Sequence, residues 1–249
     1  MKTQTPIRKW AAGCALALMT APLAHAAGTG QLGILDTSGT NPNTGLEWAI
    51  GDNYRFAFVG SVDRDAQSTV IADYNTWAQD LANASSLNIG GGQGVTWNII
   101  GSTSSVDARD NTSTNPNADG TGESIFLLDG LTSIATDYAD LWDGAISNAL
   151  NLDENGNSKD PKFGFTGTFT DGTRVSDHNN RGSLGSDDGK GVSQSGSKVS
   201  EWIYRAQTSA GADTALPMYS MSETLTVVPE TSSALLIGFA GLALLRRRR

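Results

Sequence analysis

The sequence predicts a mixed α+β fold for the central part of the chain, and three observations lead to that prediction. One long amphipathic helical pattern is followed by several short apolar runs of strand length. The 29 glycines and the frequent Asn, Asp, Ser and Thr residues supply turns between those runs. About 200 residues lie between the two apolar ends, which suffices for one domain or two small ones. We expect one domain over residues 46–227.

The predicted elements follow from local patterns along the chain. Residues 27–45 are rich in Gly, Thr and Asn, which predicts a flexible arm. Alternating aromatic residues predict a first strand over 54–59, and apolar residues at helical spacing predict the long helix over 68–84, with Trp77 in the core. Further strands are expected at 95–100, 125–128, 163–169, 199–204 and 218–227. Polar loops are expected at 107–122 and 176–198.

The first 26 residues have the three parts of a secretory signal peptide. Its positive charges are Lys2, Arg8 and Lys9. Residues 10–21 are mostly apolar but too few to span a bilayer. Ala24 and Ala26 form a small-x-small site, so we expect signal peptidase to cleave after Ala26, with Ala27 as the next choice. This pattern predicts an exported protein.

The C-terminus carries a second targeting pattern. Val228, Pro229, Glu230 and Thr231 lead into the apolar residues 234–245. Twelve helical residues rise about 18 Å, short of the roughly 30 Å hydrocarbon core, but neighbouring Thr and Ser residues and snorkelling arginines can extend such a segment. The terminal basic residues are Arg246, Arg247, Arg248 and Arg249. They should stay cytoplasmic as a membrane stop. A plain tail anchor explains the hydropathy equally well.

The order Pro-Glu, short apolar helix and arginine cluster over 228–249 resembles the PEP-CTERM sorting signal. That resemblance implies recognition by an exosortase, a membrane-embedded cysteine protease, after transient anchoring in the inner membrane through 234–245. It also implies a cell-surface or extracellular location in bacteria that make exopolysaccharide, hence a biofilm environment. This chain departs from the family at Thr231, where the third residue of the tripeptide is usually Pro, which puts the efficiency of cleavage in doubt.

Removing both ends changes the chemistry of the chain. Ten of the 17 basic residues and 25 of the 26 acidic residues remain, so the net charge becomes about −15 instead of −9. Such an acidic surface repels nucleic acid, which is therefore not expected as a partner. The single cysteine, Cys14, lies in the signal peptide. The mature protein therefore has no disulfide, thiolate metal site or cysteine nucleophile.

Three central stretches, 95–110, 126–156 and 165–172, resemble a bacterial family with an endostatin-like, C-type-lectin-like core. The middle stretch carries the strongest likeness, with Asp129-Gly130, Asp143-Gly144 and Leu152-Asp153-Glu154-Asn155-Gly156. The resemblance implies a domain with one main helix, short antiparallel strands and long loops. The calcium-binding Glu-Pro-Asn, Gln-Pro-Asp and Trp-Asn-Asp strings of sugar-binding lectins are missing from this sequence, so the fold carries over better than the sugar site.

One oxygen-rich cluster suggests a calcium site. Its candidate ligands are Asp153, Asn155, Asn157 and Asp160. Calcium takes six to eight oxygen ligands, but the spacing departs from an EF-hand, which has Gly at the sixth loop position and Glu at the twelfth. The alternative interpretation is an acidic surface turn.

These patterns favour a non-enzymatic surface protein without a resident cofactor. A carbohydrate-active hydrolase using two carboxylates is one alternative, although 25 acidic residues make some suitable pair inevitable. A sugar-binding lectin is another. Trp97, Trp142 and Trp202 are candidates for stacking on sugar rings, although tryptophans in a chain of this hydrophobic content more often lie in the core.

Overall fold

The computed structural model describes residues 28–159, 163–176, 181–186, 189–194, 196–205 and 209–230. The described residues form a mixed α and β structure. The strands are β1 Gly28–Gly30, β2 Asn53–Val59, β3 Trp97–Ile99, β4 Ser124–Leu127, β5 Ser133–Ala135, β6 Phe163–Phe165, β7 Arg181–Gly182, β8 Gly189–Gln194, β9 Ser209–Ala210, β10 Tyr219–Ser222 and β11 Leu225–Pro229. The helices are α1 Ile71–Ala84, α2 Ala108–Asn111 and α3 Tyr138–Leu141.

The larger sheet is built around β2. This strand pairs with β4 in parallel on one edge and with β10 and β11 in antiparallel on the other. The register shifts by one residue between the pairs Met221–Ala57 and Leu225–Tyr54, so β10 and β11 form one long strand interrupted by a bulge. The far edge of this long strand pairs with β3 along β10 and with β1 along β11. The predicted strand 218–227 is therefore confirmed, with a break.

Both faces of β2 are buried. Tyr54, Phe56 and Phe58 share one core cluster with the buried face of α1, as the alternating pattern predicts. Ala57 and Val59 belong to a second cluster on the opposite face. The long helix is confirmed but begins at Ile71, because residues 68–70 form a bend in which Ser68 Oγ accepts a 3.1 Å hydrogen bond from Val70 N. Trp77 is half-buried against the core rather than fully inside it.

A buried ion pair joins β2 to the loops beside it; we call it the Arg55 clasp. Arg55 Nε lies 2.7 Å from Glu123 Oε1, and Arg55 is 4% exposed. The guanidinium also donates to Tyr138 Oη and to the carbonyl oxygens of Thr112 and Ser222. A buried charge is tolerated only when it is paired and its donors are satisfied. The clasp therefore fixes segments that are distant in sequence.

The structure differs from two sequence predictions in the second half of the chain. The segment 176–198, predicted as a polar surface loop, contributes β7 and β8 to a smaller sheet with β6 and β9. Its apolar residues Leu184 and Val192 are fully buried. The predicted strand 199–204 is a 3₁₀ turn over Ser200–Trp202 instead. Trp202 is buried while Val199 is 61% exposed, so burial in this segment does not alternate from residue to residue as it does in a strand.

Two predicted loops also contain ordered structure. The polar segment 107–122 includes α2, which buries Ala108. The predicted flexible arm 27–45 includes β1, and its Leu35 is buried in the core cluster beneath the sheet. Glycine-rich segments have a low intrinsic propensity to form strands. In β1, pairing with β11 overrides that propensity.

Candidate functional site at the paired strands β1 and β11

The residues of the predicted sorting motif lie at the end of the last strand. Val228 and Pro229 belong to β11, and Glu230 follows immediately. Strand β1 pairs with β11 in antiparallel, with Gly28 opposite Pro229 and Thr29 opposite Val228. The first strand after the predicted signal-peptide cleavage site therefore lies beside the sorting motif.

The backbone of β11 has partners on both edges. Val227 bonds toward the β2 side, donating to Asp52 O and accepting from Gly51 N at 2.8 Å each. Gln31 N donates to Thr226 O at 3.0 Å on the β1 side. Successive residues of an antiparallel strand alternate between edges, so the N–H and C=O of Val228 face β1. The same alternation places Pro229 where no N–H is required, which suits its missing donor.

Two glycines allow β1 to lie this close. A Cβ on Gly30 would be 2.6 Å from Tyr54 Oη and 2.7 Å from Leu35 Cβ. A Cβ on Gly28 would be 2.5 Å from Val227 Cγ1. Any side chain at either position would push β1 away from the sheet.

A hydroxyl hydrogen bond holds the outer end of β1. Thr37 Oγ1 donates to Gly28 O at 2.6 Å. Since Gly28 is the first residue of β1, this bond attaches the start of the strand to the loop that follows it. The position of β1 thus depends on backbone pairing, one hydroxyl and the absence of side chains.

An open groove of about 550 Å³ adjoins the paired ends; we call it the terminal groove. It is lined by Gly28, Thr29, Leu35, Asp36, Thr37, Ser38, Gly39, Glu47, Trp48 and Glu230. The indole of Trp48 is half-buried, and it packs edge-on against Tyr54 with 6.3 Å between ring centroids. Polar side chains beside one tryptophan edge suit a polar, hydroxyl-rich ligand.

The Asp36 carboxyl group of the terminal groove lacks the main sign of a general acid. The backbone N–H of Ser38 donates to Asp36 Oδ1 at 2.8 Å, and this hydrogen bond lowers the pKa of Asp36. A glycosidase acid needs a raised pKa so that it is protonated near neutral pH. Asp36 is ionised there, so the groove is better suited to binding than to acid catalysis at this residue.

The calcium candidates form a tight turn in the structure. Asp153 Oδ1 accepts from the backbone N–H groups of Asn155 and Asn157 at 2.9 Å each. Asn155 Oδ1 accepts from the backbone N–H and the hydroxyl of Ser86. These oxygens already serve hydrogen bonds. Asp160 lies outside the described residues, among which no group of three or more His, Cys, Asp or Glu side chains is placed to hold a metal ion.

A second carboxylate attaches this turn to the rest of the domain. Glu154 is 4% exposed and accepts from Ser61 N at 2.9 Å and from the Ser61 hydroxyl. Ser85, at the end of α1, donates its hydroxyl to Glu154 O. The acidic turn therefore joins α1 to β2, which is a structural role.

The three tryptophans considered for sugar stacking lie in the core. Trp97 and Trp202 are at most 1% exposed, and Trp142 is 6% exposed. Trp48, which belongs to no periodic pattern and escapes sequence reasoning, is the tryptophan that lines the terminal groove. The sequence around Trp48 indicates only that this residue lies in the glycine- and asparagine-rich segment before β2.

Comparison with known proteins adds no family for this chain. No protein-family model matches the sequence, and no curated protein matches it. Within the part of the chain that the structure describes, no helix has the length and apolar character needed to cross a membrane. Ala24, Ala26, the apolar residues 234–245 and the four terminal arginines lie outside the described residues.

Proposed function

We propose that this chain is an exported, non-enzymatic protein that an exosortase sorts to the cell surface or the extracellular matrix. In this proposal, signal peptidase removes residues 1–26 and the segment 234–245 anchors the precursor transiently in the inner membrane. The exosortase then acts at Val228–Pro229–Glu230. The mature domain functions in an exopolysaccharide or biofilm matrix.

One observation carries the proposal: the sorting motif coincides with the end of the ordered sheet. Strand β11 completes the larger sheet and ends at Pro229. Pro229 is exposed and Glu230 is half-buried. Only residues 231–233 separate Glu230 from the apolar segment, so the motif lies within about 14 Å of it. A sorting protease at the membrane needs its motif in that position.

We also propose that the domain has a C-type-lectin-like core. The support is a long helix, α1, packed on a largely antiparallel sheet, together with long loops that carry little regular structure. The described residues also include a small second sheet formed by β6 to β9. This fold assignment implies no sugar site by itself.

The proposal is tested by expressing the full chain in a Gram-negative host with and without an exosortase. Mass spectrometry of both ends and membrane fractionation are the measurements. We expect an N-terminus at Ala27 in both strains, and loss of the C-terminal segment only where the exosortase is present. Retention of Arg249 in both strains, with the motif intact, contradicts the proposal.

Matched variants separate motif recognition from a general loss of fold. Glu230→Gln should stop C-terminal processing, whereas Glu47→Gln, which alters the same groove outside the motif, should not. Thr231→Pro restores the usual third residue of the motif and should speed processing. Equal processing of the two glutamine variants would show that the exosortase does not recognise Glu230.

A second candidate function is sugar binding in the terminal groove, and the placement of Trp48 beside polar groups favours it. Apolar faces of sugars stack on tryptophan, and carboxylates accept hydrogen bonds from sugar hydroxyls. Glycan-array binding that Trp48→Ala abolishes, and that chelation leaves unchanged, would support a calcium-independent lectin. An array with no signal for the wild type removes this candidate.

A further inference from the structure

The sorting motif is already engaged within the folded protein. Val228 pairs with Thr29 across β1 and β11, and its backbone groups point toward β1. The motif is thus not a free extended peptide, even though it lies near the end of the chain.

A protease that binds an extended segment supplies the backbone partners of that segment by strand addition. The β2 side of β11 is occupied at Val227 by Asp52 and Gly51. The β1 side is occupied by Thr29 and its neighbours. A sorting protease can therefore pair with Val228 only after one of these partners has left.

Strand β1 is the partner that can leave without opening the rest of the sheet. It is three residues long, and among the described strands it pairs only with β11. By contrast, β2 is seven residues long and central to the sheet. Opening the β2 edge would expose the core, whereas release of β1 breaks three residue pairs.

We propose that β1 is a built-in competitor for the Val228 edge of β11, so that exosortase processing requires β1 to detach. This inference rests on the proposed function, since it names what regulates access to the same motif. The first strand after the signal peptide thereby controls the cleavage that removes the C-terminal segment.

The first test loosens β1. Gly30→Val places a side chain against Tyr54 and Leu35, whereas Gly39→Val is the matched control because nothing lies within 4 Å of its added Cβ. Both are made in the full chain, co-expressed with an exosortase, and processing is followed by pulse-chase. Because access scales with the fraction of detached β1, we expect Gly30→Val to be processed about tenfold faster than Gly39→Val.

The second test locks β1 and does not depend on how Gly30→Val folds. Gln31→Cys with Thr226→Cys joins two residues outside the motif whose backbones are already bonded across the same edge, from Gln31 N to Thr226 O at 3.0 Å, and such adjacent backbones suit a disulfide. Membranes containing this precursor and the exosortase are assayed with and without reductant, and membranes with the wild-type precursor, treated in the same way, correct for the effect of reductant on the cysteine protease itself. We expect the oxidised form to be processed about tenfold more slowly than the reduced form.

The outcomes are distinguishable. Equal processing of the oxidised and reduced forms, or of the two glycine variants when both are folded, overturns the role of β1 and leaves the proposed function standing. Absence of processing in the wild type, in Gly39→Val and in Gly30→Val alike, with the exosortase active on another substrate, overturns the proposed function and this inference together.

Discussion

The centre of the larger sheet and its outer edge, formed by β1 against β11, are held by different kinds of interaction. At the centre, the Arg55 clasp uses a charged side chain to satisfy groups on several loops. At the edge, β1 is held by backbone pairing and by glycines that leave room for Tyr54 and Leu35. The first arrangement is costly to break, while the second can separate with little exposure of the core. Rigidity and accessibility are thus assigned to different parts of one sheet.

The largest effect should come from breaking the clasp. Arg55→Ala leaves Glu123 buried without its cation and should lower the free energy of unfolding by about 3–5 kcal/mol. Arg174→Ala is the matched control, because its 3.6 Å pair with Asp107 is partly exposed and should contribute less than about 1 kcal/mol. Urea denaturation measures both. Equal losses would mean that burial does not distinguish the two pairs.

A smaller effect is expected at the edge. Gly30→Val overfills the space beneath β1 and should cost about 1–3 kcal/mol. Gly39→Val should stay within about 0.5 kcal/mol of the wild type. Hydrogen exchange should show faster exchange confined to β1 and the facing part of β11. Loss of protection throughout β2 would mean that the edge and the centre unfold as one unit.

Alkaline pH should weaken both regions over the same interval. Burial raises the pKa of Tyr138, in the clasp, and of Tyr54, beneath β1, to about 12 from the ordinary value of 10.0. The folded state favours the neutral phenol. Its contribution to stability is therefore complete below pH 10 and is lost as pH rises through 12. Denaturation midpoints measured across this range, with Tyr138→Phe and Tyr54→Phe, should show a flatter decline in each variant. An identical decline in the variants would assign the effect to other groups.

The smallest effect should come from calcium. The side-chain oxygens of Asp153 and Asn155 already accept hydrogen bonds that shape their turn, so ligation would have to replace those bonds. We expect the same Tm in millimolar calcium and in chelator. A clear rise in Tm with calcium, abolished by Asp153→Asn, would establish the site that the sequence suggests.

Strong local periodicity explains what the sequence predicts well. The aromatic alternation of β2 and the helical spacing of α1 match the faces that these elements bury. The Asp129-Gly130 turn is also confirmed, since Gly130 has a φ of 72°. In each case a short window of the sequence contains the signal.

The missed features depend on contacts that no short window contains. In the sequence, β1 looks like part of a flexible arm. The reason for a glycine at position 30 is the close approach of Tyr54, which lies on another strand. Leu184 and Val192 are isolated apolar residues in a polar segment, yet both are buried. The terminal groove likewise combines Gly28, Trp48 and Glu230 from distant parts of the chain. Tertiary contacts override local propensity at these positions.

The pairing of the first and last strands also constrains how the protein is made. Gly28 and Pro229 are roughly two hundred residues apart in sequence, so their contact has a very high contact order and forms late. A chain that crosses the membrane from its N-terminus cannot complete this sheet until its last strand has emerged. Until then the edge of β2 that pairs with β11 stays open, and in a protein exported as proposed this is when a chaperone on the far side of the membrane would be needed.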